Sequence, residues 1–196
     1  MGQAKVRREA LRQELLKNSK EWDFATSLWE AALCAELREG AVVVVPRAPP
    51  EQLAWSRMPA QECHAIARWY AKNDPSGKAR MITGWWVQWP NFVLHSVVEV
   101  EGRLICITPS AFGETEIPFI SDPKITWTED GEVYSAVRDG NVIGFGVRAY
   151  PEFTMAQSAI FRGRLLAGVH PMNATRFTDE EMEDLKRRYL PPSATS

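Results

Sequence analysis

The chain has 196 residues, 45% of them hydrophobic and 24% charged, and a formal net charge of −2. This is enough apolar material for one globular domain with a real core, and it leaves no broad basic field of the kind that dominates non-specific nucleic-acid binding, so nucleic acid is an unlikely partner. Three cysteines, Cys34, Cys63 and Cys106, with no CxxC spacing, argue for free thiols in a reducing compartment and against a disulfide scaffold or a structural zinc site.

The basic N-terminus, MGQAKVRREALRQELLKN, is followed by no apolar signal core, and no apolar run approaches the ~20 residues that span a bilayer. A cytoplasmic protein without membrane association is expected. Within residues 3–18, Val6, Ala10, Leu11, Leu15 and Leu16 recur at helical spacing among arginines, which predicts a solvated amphipathic helix or a partner-binding arm over 1–20. A single domain is expected over 21–190, followed by a disordered tail over 191–196.

After Ser19, the residues Trp22, Phe24, Ala25, Leu28, Trp29, Leu33 and Leu37 form a broad apolar face closed by Gly40, which predicts a second helix containing Cys34 as core filler. AVVVVP reads as a short buried strand stopped by Pro46, and PRAPPEQ as a loop. Ala60 to Asn73 reads as a helix that NDPSGK breaks.

From Ala79 to Pro109 the texture turns to β. ARMITGWWVQW, NFVLHSVVEVE and RLICITP are separated by turn signals at Pro90-Asn91 and Glu101-Gly102. KITWT, EVYSAV and NVIGFGVRAY predict further strands, whereas GETEIPFISDPK reads as a Pro-containing connection. PEFTMAQSAIFRGRLLAGV looks helical in its second half, and His170 falls in a loop. A last helix opens at Thr178 and Glu181, the spacing of a capping box, with Met182, Leu185 and Tyr189 as its apolar stripe.

The residues with chemistry to offer are few. Cys63 sits at a predicted helix N-terminus, where unpaired N–H groups and the macrodipole favour a thiolate and could serve as an oxyanion hole. His64 follows it directly and points elsewhere on the helix, so His95 is the better candidate base. If Glu101-Gly102 makes a two-residue turn, Val98 faces Ile105, and His95, Val97, Cys106 and Thr108 share one face of the sheet. A polar side chain at 106 or 108 would then lie beside the imidazole. The aromatic cluster Trp69, Trp85, Trp86 and Trp89 is most simply packing, since Trp85 and Trp86 point to opposite faces of their strand, but one of them, with Pro90 and the nearby Gln88, could wall a substrate cleft.

A cysteine at a helix start, a strand ending in Gly-aromatic (MITGWW), a histidine on the next strand followed by VVEVEG, and a strand running into Thr-Pro (ICITP) together resemble the transglutaminase-like branch of the papain-like thiol enzymes. The string is also similar to uncharacterised bacterial and phage-borne proteins that begin MGQAK. The resemblance covers roughly residues 60 to 110 and the first few residues. It implies an α+β fold, N-terminal helices packed on an antiparallel sheet, and cysteine-dependent acyl transfer on an amide of a protein or peptide substrate. Peptidase, deamidase and transamidase outcomes all remain open.

By position, Cys63 matches the nucleophile and His95 the base. Where the family pattern places an aspartate this chain has Cys106, which cannot hold an imidazolium as a carboxylate does. Either Thr108, Gln88, Asn91 or the more distant Asp122 takes that role, or catalysis is impaired and the chain is a protein-binding or adaptor module, with a mobile-element origin as one alternative. No phosphate loop follows RDGNVIGFG, and the histidines and cysteines lack metal-ligand spacing, so no cofactor and no metal is expected. The sequence is silent on oligomeric state.

Overall fold

A computed structural model of the chain describes residues 3–53, 62–110, 113–131 and 133–191. Its described residues form a mixed α+β structure in two compact units, one made by the two ends of the chain, through Ala32 and from Arg148 onward, and the other by Leu33–Val147. The expected helix start at Ala60 and the expected tail from 192 onward lie outside the described residues.

The Leu33–Val147 unit is built on an antiparallel sheet. Its strands are β1 (Val43–Pro46), β2 (Arg80–Gln88), β3 (Asn91–Val100), β4 (Arg103–Ile105) and β5 (Glu116–Ser121), arranged β1-β5-β2-β3-β4. The β3–β4 register is the expected one, with Val98 opposite Ile105 and Val100 opposite Arg103. Glu101 and Gly102 take φ of 52° and 78° at the turn, the left-handed pair that a two-residue hairpin needs.

The two outer strands meet. Beyond Ile105 the chain leaves β3, and Cys106 pairs in parallel with Arg47, with Ala48 N donating to Cys106 O at 2.8 Å and Cys106 N to Pro46 O at 2.9 Å. The sheet therefore curls onto itself. Period-two alternation divides the side chains of β3 between its faces. Val98 packs with Ile66, Ala67 and Ile107 beneath α4 (Cys63–Asn73), while Val97 packs with Val45, Cys106, Ile117 and Phe119.

β5 corrects the reading of GETEIPFISDPK as a connection. It lies between β1 and β2, and Pro118 stands opposite Val44 where the β2 ladder, which covers only Phe119–Ser121, does not reach. One side of β5 has no ladder at that point, and a residue without an N–H is tolerated in such a place. Gly84 is the tight point of the sheet, because a Cβ there would stand 2.1 Å from Ile120 O and 2.9 Å from Ser121 Cα.

A separate three-stranded sheet follows from β6 (Thr126–Asp130), β7 (Val133–Arg138) and β8 (Asn141–Ile143), and β9 (Gly146–Arg148) pairs with β3. Trp127 Nε1 donates to Thr83 Oγ1 at 3.0 Å. Buried Arg138 donates to Asp122 Oδ2 and pairs with Glu36, both at 2.8 Å.

In the unit formed by the chain ends, α1 (Gln3–Glu21) is not a free arm. Leu11, Leu15 and Leu16 pack with Phe161 and Leu165 of α5 (Pro151–Leu166) and Ala174 of α6 (Pro171–Ala174). Within the Leu33–Val147 unit, the helix packed on the main sheet is α4. Ser19, expected to start a second helix, lies inside α1 with its hydroxyl on Leu16 O at 2.8 Å. The next helix, α2 (Leu28–Arg38), starts instead where Ser27 Oγ accepts from Glu30 N at 3.0 Å.

Glu30 is buried against Arg148, accepting from its backbone N at 2.8 Å, its Nε at 2.9 Å and its Nη2 at 3.0 Å, while Arg148 Nη1 donates to Trp22 O at 2.7 Å. This cluster ties down the connection carrying Trp22 and Phe24, which the sequence reading placed in a helix. α5 is helical from its start, not only in its second half, because Pro151 occupies the first turn, where its missing N–H costs nothing, with Glu152 beside it. His170, read as loop, caps α6 by accepting from Met172 N. α7 (Asp179–Tyr189) opens with the expected Thr178–Glu181 capping box. Between β1 and α4, the short α3 (Pro50–Leu53) lies where a loop was expected.

Candidate active site

Cys63 is the first residue of α4, and its sulfur meets the main-chain N–H groups of Cys63, His64 and Ser96. The helix start thus supplies the anion-favouring donors expected from the sequence, and each of them pulls the thiol pKa down. Burial wins, however. Cys63 is 5% exposed, and loss of solvent, with a smaller push from the neighbouring Cys106, drives its pKa up to about 12.

His95 lies on the strand opposite Gly84 and is 3% exposed. Its Nε2 is hydrogen-bonded to Cys106 Sγ at 3.4 Å, and the edge of Trp86 lies against it with ring centroids 5.6 Å apart. It makes no hydrogen bond to Cys63. Burial pushes the imidazole pKa down to about 3, and the positive potential of His64 and Arg47 adds to this. Cys106 is fully buried, and desolvation raises its thiol pKa although Arg47 and Thr108 act against it. At neutral pH both thiols are protonated and the imidazole is neutral.

Thr108 is buried, but it lies against Cys106 and makes no hydrogen bond to His95. Its backbone O accepts from Arg47 Nη1. Asp122 is committed to Trp85 Nε1, at 2.8 Å, and to Arg138. Gln88 and Asn91 face each other at the far end of the β2–β3 hairpin. Cys106, which stands where the family pattern has its acid, is itself the residue hydrogen-bonded to the imidazole.

The four residues proposed to contact substrate separate. Trp85 is fully buried on Asp122, and Trp86 adjoins His95 and Arg47. Gln88 is exposed, and Trp89, half exposed, stacks under Arg38. Of this group, Trp86 alone adjoins the thiol–imidazole cluster.

Two residues assigned no role by the sequence reading belong to the site. His64 Nδ1 is bonded to Ser96 Oγ at 2.8 Å, which in turn meets Thr83 Oγ1 at 3.2 Å, and burial drives the His64 pKa down to about 4. Arg47, read as part of a loop, reaches over Trp86 with its guanidinium carbon 5.6 Å from the ring. An arginine set directly after a valine run and Pro46 was the available signal, but only the closure of β1 on Cys106 brings it beside His95.

Comparison with family models, with curated proteins and with solved structures finds no match. Among the described residues no helix is long and apolar enough to cross a membrane, and no group of three or more His, Cys, Asp and Glu could hold a metal ion.

Proposed function

We propose that this chain is a binding module for a protein or peptide, built on the scaffold of a transglutaminase-like thiol enzyme, in which Cys63, His95 and Cys106 form a neutral structural centre. The observation that carries this reading is the partnering of His95. The ring spends Nε2 on the Cys106 sulfur and makes no bond to Cys63, while the Cys63 thiol is sealed and held protonated. A nucleophilic cysteine needs the opposite environment, with an accessible sulfur and a thiolate favoured by a paired imidazole.

Acyl transfer on an amide is the second reading, favoured by the layout of the same residues. Cys63 would attack the carbonyl, His95 would accept and return the proton, Cys106 would orient the ring, and the N–H groups around the Cys63 sulfur would receive the oxyanion. The two readings separate on incubation with a casein digest and a fluorescent primary amine. The binding module gives no ammonia release, no amine incorporation and no thioester mass on Cys63 above a Cys63→Ala control. A thioester, or ammonia release lost in both Cys63→Ala and His95→Gln, replaces it with the enzyme.

A further inference from the structure

We propose that the cavity beside Arg47 binds a carboxylate, the C-terminal carboxylate of a short peptide, on the Nε–Nη2 edge of that arginine. This rests on the binding-module reading and names its ligand. A guanidinium has five N–H donors, and the Nε–Nη2 edge is one on which a carboxylate can be held by two parallel bonds. In this structure Arg47 spends Nη1 on Thr108 O, whereas Nε and Nη2 are buried and have no hydrogen-bond partner among the described residues. Neither Arg138 nor Arg148 is left this way. Both direct their Nε to a buried carboxylate, Asp122 and Glu30 respectively. Leaving a buried charged donor unsatisfied forfeits its hydration with nothing in return, so an unfilled fork is a feature to be explained by what fills it.

Arg47 also lines a cavity of about 280 Å3, with Pro49, Pro50, Leu53, Pro109 and Glu114 among its other walls. That volume lies near the lower end for ligand sites and suits one or two peptide residues. The apolar walls favour an organic ligand over a bare inorganic anion. Glu114 favours a monoanion over a doubly charged phosphate, and a peptide can offer N–H donors towards it.

The test compares N-acetyl-Ala-Ala with its C-terminal amide on the full chain, titrated by tryptophan fluorescence, with Trp86 beside the guanidinium as reporter. The free acid is expected to bind at least tenfold more tightly than the amide. Arg47→Lys, which keeps the charge and loses the fork, is expected to remove that preference, and Cys63→Ala is expected to retain it. Equal binding of acid and amide by the wild-type chain, or binding of neither at 10 mM on the order of the weakest useful affinity, overturns the inference. Because that comparison needs no variant to fold, it stands whatever the substitutions do. It also fails independently of the thioester assay, which decides whether the thiol centre is catalytic.

Discussion

Alkylation of Cys63 gives the sharpest measure of the environment described here. A thiol at its ordinary pKa of 9.0 is about one-tenth ionised at pH 8, whereas one pushed up to about 12 is ionised to about one part in ten thousand, a thousandfold deficit of the reactive species. A more basic thiolate is intrinsically more nucleophilic, with a Brønsted slope of about 0.4–0.5, which returns roughly twentyfold over that interval. Cys63 in the folded chain is therefore expected to react with iodoacetamide about fifty times more slowly than a free model thiol at pH 8, before any further loss from steric cover. Its rate should rise tenfold per pH unit without a plateau while the fold holds. Peptide mapping by mass spectrometry separates Cys63 from Cys34 and Cys106, and the same chain in denaturant, labelling at the model rate, provides the control. Labelling at pH 6–7 faster than the model thiol, and slowed in His95→Gln, would refute the reasoning by showing that the imidazole does reach the sulfur.

Three other expectations concern the scaffold. His95 and His64 are neutral when folded, with pKa values driven down to about 3 and about 4 from 6.5. The unfolded chain therefore binds more protons below pH 6.5, and the stability these rings contribute is full above 6.5 and lost as pH falls through the window down to 3–4. At pH 5 each should disfavour the fold by about 2 kcal/mol relative to pH 7. Urea melts of wild type and His95→Gln at the two pH values check this, and an unchanged pH dependence in the variant argues against a neutral buried ring. Gly84→Ala should destabilise by about 3 kcal/mol or more, since its Cβ would meet the backbone of Ile120 and Ser121 as well as the ring of the fully buried Phe119; a denaturation midpoint within error of wild type would contradict the register of β2 against β5. Glu30→Ala should cost about 3–5 kcal/mol by leaving Arg148 buried and uncompensated. Glu30→Leu with Arg148→Met should recover most of that loss in the same melts.

Local rules made much of this molecule legible. The capping box at Thr178, the Glu101-Gly102 turn and the hairpin register were all readable because each is set by neighbours within a few residues. The register followed from a two-residue turn and period-two alternation, and it put position 106 on the imidazole's side of the sheet. The misread segments were those whose conformation is set from a distance. Pro118 belongs to a strand because one side of β5 has no ladder there, Trp22 and Phe24 leave the helix because Arg148 holds that connection, and α1 packs against the C-terminal helices although its arginines suggested a solvated arm.

What the sequence determined, then, was which residues bear chemistry and on which elements they stand, since helix starts and strand faces follow from local sterics and periodicity. Tertiary structure alone decided their protonation and their partners. Whether a helix-start thiol becomes a thiolate depends on the balance between its N–H donors and desolvation, and how much solvent is lost is a property of the closed sheet. That closure, in which Cys106 pairs with Arg47, sets a guanidinium with a buried, unpartnered edge beside Trp86 and a cavity. No spacing along the chain encodes these juxtapositions, because they join residues whose separation in sequence is bridged only by the fold.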